Sequence, residues 1–343
     1  MGSGKSGRVV GAVLAATFVL VICGAGVEAG AQTRKRAPQK KATAAVWTRT
    51  DCGGDVAVFL SAPGATQGGL LQTELRSPTP LSDVSGTWDE KPIPFWQETP
   101  SATSATKAPS KAPAASKSKS APQDIRRALL GIDLEKPAGT YDFTVSAKTA
   151  DATTVSCKTP IMVRAGKFAT ERLRVAPNFV EPNPEQLAKA QEDGKKLREL
   201  YATVTPERLW QGRFRIPIDG ATTGKNFGRR RVLNGKPSSP HTGVDIPALT
   251  GISVHASQRG RVVLAEELYF SGNTVLIDHG LGVYTLYGHF SEINVKPGDL
   301  VEPGAVIGKV GATGRVTGPH LHWGLTVDRA RVNALSIVSP SVR

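Results

Sequence analysis

Histidine is absent from the first 240 residues of this 343-residue chain, so any imidazole chemistry belongs to its C-terminal part. A long apolar run is also missing. Val9 to Ile22 is the longest stretch of that kind, too short for a comfortable membrane span of roughly 18 or more residues. The stretch from Ser101 to Pro122 contains no aromatic or branched aliphatic residue. It cannot bury enough apolar surface to offset its ordering entropy and is expected to be disordered. No small residue precedes Cys23, which follows Ile22, so the pattern of a lipidated cysteine is not met. No wall-anchoring repeat is recognisable, which leaves any targeting open.

What is present at the start is an export signal. Lys5 and Arg8 precede the apolar run, and Ala29-Gly30-Ala31 forms a small-x-small cleavage site. Residues 1–31 are therefore expected to be a signal peptide, and membrane attachment would come only through an uncleaved signal anchor. That leaves Cys52 and Cys157. An even pair in an exported protein reads as a disulfide. The formal charge of +14 implies acidic partners. For an exported chain, anionic cell wall suits that charge better than nucleic acid, and part of it simply solvates segments such as Arg34-Lys35-Arg36.

The chain is expected to be mainly β. After a basic polar stretch (32–45), residues 46–176 read as a β-sandwich-like module. Val56-Ala-Val-Phe-Leu60 suits a buried strand, while Tyr141–Val145, Ile161–Val163 and Leu173–Val175 alternate as half-buried strands. The Cys52–Cys157 pairing would span the disordered tract (101–122), which makes that tract a loop inserted in one module. Residues 177–209 form a connector. Its helix over 184–201 has Asn183 as N-cap, Pro184 at the first position and a partial apolar face of Leu187, Leu197, Leu200 and Tyr201. Gly194 weakens this helix by about 1 kcal/mol, so it needs tertiary support. From residue 210 to 340, short β-rich runs alternate with turns such as Pro297-Gly298 and Pro303-Gly304, predicting an all-β antiparallel domain.

Within that domain, His320-Leu-His322 leads into Trp323-Gly-Leu-Thr-Val327. Two histidines at i, i+2 on a strand share one face. His241-Thr-Gly-Val-Asp245 has metal-ligand spacing, but Gly243, Val244 and Pro247 oppose a helix, so the two residues must converge through a turn or bulged strand. His289 lies in Leu286-Tyr-Gly-His-Phe290. These motifs, together with Gly272–Gly280, Thr313–His322 and Asn226–Gly235, resemble the lysostaphin/LytM-type (β-lytic) zinc metallopeptidase family, peptidoglycan endopeptidases. The resemblance covers residues 210–340. It implies one zinc ion held by His241, Asp245 and His322, with His289 and His320 as catalytic imidazoles. Three protein ligands leave one zinc position for a water, whose pKa falls toward about 7. An unligated histidine can take a proton near neutral pH.

The remaining features have plainer readings. His255, Asp278 and His279 are assigned to structural hydrogen bonding. Gly220–Lys225 lacks the length and the Ser or Thr of a phosphate-binding loop. Arg229, Arg230 and Arg231 fit substrate carboxylates and a solvated loop equally well. The sequence thus predicts an exported zinc metalloendopeptidase acting on peptidoglycan in the periplasm, cell envelope or surrounding medium, with the N-terminal module able to cover the cleft. The alternatives are a non-catalytic wall-binding activator of an amidase and a metallopeptidase acting on proteins.

Overall fold

The computed structural model describes residues 47–97 and 124–339. The expected signal peptide, the basic stretch and the low-complexity tract (101–122) lie outside the described residues. Strands dominate, with one α-helix among the described residues, so the chain is mainly β.

The N-terminal region contains two five-stranded sheets. One runs in the order Thr48–Gly53, Val56–Leu60, Leu70–Ser77, Asp124–Gly131, Trp96–Gln97; the other in the order Gly64–Thr66, Thr154–Arg164, Gly139–Lys148, Ser82–Trp88, Lys91–Pro92. Alternation explains their packing, because every second residue of Thr154–Arg164 is buried from Val155 onward, except Cys157. Val58, Leu75 and Leu130 from the first sheet share a core with Phe143, Val145 and Ile161 from the second. Cys52 and Cys157 form a disulfide that ties the two sheets at 2.06 Å S–S.

The helix spans Pro184–Ala202 and begins with a capping box: the Gln186 N–H donates to Asn183 Oδ1, and the Asn183 N–H donates to Gln186 Oε1. Leu197, Leu200 and Tyr201 pack on Leu264, Leu268, Leu276 and Tyr284 of the C-terminal sheet. Leu187 points outward and is 46% exposed, so the docked face is confined to the helix's second half. Asp193, inside the helix, accepts a hydrogen bond from the Tyr269 backbone N–H at 2.7 Å and fixes the helix across the sheet.

The C-terminal part is a nine-stranded antiparallel sheet. Its main path runs Gly243–Pro247, His320–Val327, Val283–Ile293, Gly272–Asp278, Gly260–Leu268, Leu300–Val301. Near-continuous burial of Val283–Phe290 places that strand at the core, where Tyr287, Phe290 and Trp323 are fully enclosed. The expected run Ile293–Val295 is strand only at Ile293, and Ala305–Ile307 becomes strand from Val306. Asn294 lies outside the strand, its N–H donating to the Ile307 carbonyl.

Two features join the halves. Thr170–Leu173 pairs in parallel with Arg230–Leu233, which itself pairs with Lys236–Ser238. Trp96, Leu129 and Leu134 also enter the same core cluster as Trp210, Phe214 and Val327.

Candidate metal and catalytic site

His241 lies just ahead of strand Gly243–Pro247, with Thr242 between, and register places Asp245 directly opposite His322 on strand His320–Val327. Leu321 points into the core while His320 and His322 share the outer face, as the strand period requires. Gly243 makes the approach feasible. A Cβ there would fall 2.6 Å from the His322 ring and 2.8 Å from the Trp323 carbonyl oxygen.

Three candidate ligand atoms converge. His241 Nε2, Asp245 Oδ1 and His322 Nδ1 lie 3.0 Å from one another in each pairing. A zinc ion bound at about 2.0–2.1 Å in tetrahedral geometry separates its ligands by about 3.3 Å. The triangle therefore needs only a small expansion to hold one. Its chemistry fits as well: two imidazoles and a carboxylate are common zinc donors. His241 Nδ1 faces the Asn226 carbonyl oxygen at 3.0 Å. A carbonyl can only accept, so Nδ1 carries the proton and Nε2 presents a lone pair.

Asn226 also orders the carboxylate. Its Nδ2 donates to Asp245 Oδ2 at 2.9 Å, and its Oδ1 accepts from the Asp245 backbone N–H at 3.0 Å. Asp245 Oδ1 is thereby turned toward the histidines. Burial pushes the Asp245 carboxyl up, yet the adjoining His241 and His322 imidazoles outweigh it and hold the group well below the usual carboxylate range. Burial lowers His322 to about 4, partly opposed by its bond to Asp245, so the imidazole is neutral and fit to ligate at neutral pH.

His289 reaches this site through a β-bulge. Asn273 pairs with Phe290 and Val275 with Tyr287, which leaves Thr274 opposite both Gly288 and His289. His289 takes a positive φ of 68°, uncommon for a residue with a side chain. Its Nδ1 donates to the Thr313 carbonyl at 2.8 Å, leaving Nε2 for the cleft that it lines. Burial and the neighbouring His322 and His320 lower His289 to about 3. His320 Nδ1 likewise donates to the Gly318 carbonyl at 2.8 Å, and Nε2 stands 3.6 Å from Asp245 Oδ1. The His289 and His320 rings lie 4.8 Å apart, between centroids.

All five residues singled out in the sequence thus meet in one place. The three assigned to structure lie elsewhere in the bonding network. His279 bridges the Arg259 carbonyl and Thr285 Oγ1, and Asp278 accepts from Thr205 and the Gly280 N–H. His255 bonds the Gly304 carbonyl.

Arg229 pairs with Glu171 at 2.7 Å, Arg230 lies 3.4 Å from Glu135, and Arg231 lies 3.5 Å from Asp245 and 3.9 Å from Glu171. Arg230 and Arg231 open the strand Arg230–Leu233, with Arg229 just before it, and all three are charge-paired. Sequence reasoning missed Asn226, Thr313 and Glu171. Asn226 and Thr313 open two of the matched motifs, but nothing in residue type announces a carbonyl as a histidine's partner. Glu171 is contributed from about sixty residues upstream by the parallel strand. A cleft of about 260 Å³ beside these residues is lined by Glu171, Arg231, His289, Arg315 and His320, among others.

Residues 239–334 match the profile of Peptidase family M23. The chain is 41% identical over 128 residues to peptidoglycan DD-endopeptidase ShyA of Vibrio cholerae, covering 37% of this chain and 30% of that protein. It is 37% identical over 151 residues to DD-carboxypeptidase/endopeptidase Mpg of Neisseria meningitidis, covering 44% of this chain and 32% of that one. The chain thus spans about a third of the length of these curated relatives. A crystal structure of a provisionally assigned M23 peptidase from Pseudomonas aeruginosa shares the fold, with a TM-score of 0.57 at 24% identity, over 81% of this chain and 95% of that one. Residues 239–334 of this chain are thus a Peptidase family M23 domain.

Proposed function

We propose that the chain is an exported zinc metalloendopeptidase that hydrolyses peptide bonds of peptidoglycan in the periplasm or cell envelope. One observation carries the reading: three converging donor atoms have two further imidazoles beside them, each with Nδ1 committed to a backbone carbonyl. His241, Asp245 and His322 would hold zinc, which supplies Lewis-acid activation of water and of the scissile carbonyl. The ShyA and Mpg relatives, named for peptidoglycan peptidase activities, favour this substrate class.

The chain's own residues supply the rest. His289 and His320 present unprotonated Nε2 atoms to the cleft, so each can accept a proton and return it to the leaving amine. Asp245 Oδ1 stands 3.6 Å from His320 Nε2. The His289 bulge fixes that ring through strand pairing rather than a mobile loop. We assign residues 46–176 to the module, 177–209 to the connector and 210–340 to the catalytic domain. Glu171, Leu173 and Val175 wall one side of the cleft, which supports a restraining role for the module.

The test is digestion of purified sacculi by the full-length chain, with products identified by mass spectrometry. Chelation and His322→Ala should abolish release of products, and zinc should restore the chelated protein. Bound zinc without turnover would favour the amidase activator, and cleavage of proteins alone would favour a general metallopeptidase.

A further inference from the structure

Two guanidinium groups line the cleft, and their circumstances differ. Arg231 is engaged by Asp245 and Glu171. Arg315 has no acidic partner among the described residues. Its guanidinium carbon sits 4.4 Å from the centroid of the Phe270 ring, and its backbone N–H donates to the Phe270 carbonyl at 2.9 Å. Burial, with Arg231 adding repulsion, lowers it to about 10, so it stays charged at neutral pH.

The backbone around Arg315 is fixed. Gly314 has a φ of 73°, and a Cβ there would fall 2.4 Å from the Gly272 nitrogen. Thr313 Oγ1 accepts from the Asn273 N–H and donates to the Phe290 carbonyl, while the Thr313 carbonyl holds His289. One short segment therefore places an uncompensated cation and a catalytic imidazole at set positions in one cleft. A half-buried, unpaired arginine stacked on an aromatic ring is arranged to meet a planar anion.

The chemistry of the substrate supplies that anion. In a DD bond, the scissile nitrogen is attached to a D-centre whose own carboxylate is free, in a terminal D-alanine and in the D-centre of diaminopimelate alike. A glycine bridge has no carboxylate at this position. We propose that Arg315, backed by Phe270, binds the free carboxylate next to the scissile nitrogen and so selects DD bonds over glycine bridges. This rests on the peptidoglycan reading and specifies its substrate.

The experiment compares an acyl-L-Lys-D-Ala-D-Ala peptide as its free acid and as its C-terminal carboxamide, alongside pentaglycine. The full-length chain should process the acid at least tenfold better than the amide in kcat/KM and leave pentaglycine intact. Arg315→Gln should bring the acid-to-amide ratio near one, mainly through KM. Arg315→Lys should recover part of the preference, with melting temperatures reporting that both variants fold. Metal-free full-length chain, titrated with N-acetyl-D-Ala-D-Ala and its amide by NMR, should favour the acid, and the Gln variant should not.

An unchanged acid-to-amide ratio in Arg315→Gln overturns the assignment, as does a wild type that treats acid and amide alike while digesting sacculi. Undigested sacculi together with a retained, Arg315-dependent preference for the acid in binding would sink the endopeptidase reading and leave carboxylate recognition standing.

Discussion

Arg331 forks onto Asp133, with Nη2 2.6 Å from Oδ1 and Nε 3.0 Å from Oδ2, and its backbone N–H donates to Oδ2 at 2.9 Å. The pair lies 198 residues apart in sequence and clamps the N-terminal sandwich to the last strand of the M23 domain. Burial raises the Asp133 carboxyl, but the bonds from Arg331 outweigh this and leave it lowered. A carboxyl lowered on folding stabilises above its unfolded pKa, and that contribution is lost as pH falls through the folded value.

Asp133→Asn should therefore cost about 1–2 kcal/mol at pH 7, a figure kept small because Arg331 is partly exposed. Urea denaturation of both proteins checks this. The gap between them should narrow below about pH 4, where the unfolded carboxyl of the wild type is protonated.

Asp328 behaves in the opposite sense. Burial pushes its carboxyl up to about 7, against opposing pulls from Lys91 and Arg329. Its contribution is full below the unfolded value and is lost as pH rises toward and through 7. Asp328 and Arg329 have φ of 47° and 67°, in a turn where asparagine is well tolerated. Asp328→Asn should raise stability at pH 8 by on the order of 2 kcal/mol, with little change at pH 4. Thermal melts across that range would show it, and equal pH profiles for both proteins would refute it.

Asn226→Ala should weaken zinc binding by about 10- to 100-fold, because it frees both Asp245 Oδ2 and the Asp245 backbone N–H. Competition with a chromophoric chelator measures the change, and affinity equal to the wild type would count against the orienting role.

Gly243→Ala tests the same centre through packing. The added methyl must displace the His322 ring or the Trp323 carbonyl. Zinc stoichiometry should fall below one per chain under conditions that saturate the wild type. Circular dichroism should still report a folded sheet.

The legibility of the chain in its sequence followed physical range. The i, i+2 geometry of His320 and His322 is set by the period of a strand, so the shared face could be read directly. The helix start at Asn183-Pro184 was equally local. The meeting of His241 and Asp245 with His322 was accessible only through family resemblance, since antiparallel register joins Asp245 to a residue 77 positions away. The bulge at His289 left no local mark, because it arises from pairing with the strand opposite. Leu187 illustrates the converse error: hydrophobicity placed it on a packed face, but it is exposed, and the helix residues packed on the sheet are Leu197, Leu200 and Tyr201.

The parallel pairing of Thr170–Leu173 with Arg230–Leu233 changes what this chain can be reduced to. Glu171, Leu173 and Val175 form one bank of the cleft. Cutting the chain after the helix would remove that bank together with the carboxylate that holds Arg229 and Arg231. The shortened protein would be a different instrument, wider at the cleft and more basic along its rim. Any peptides it admitted there would describe the cut, not the parent chain.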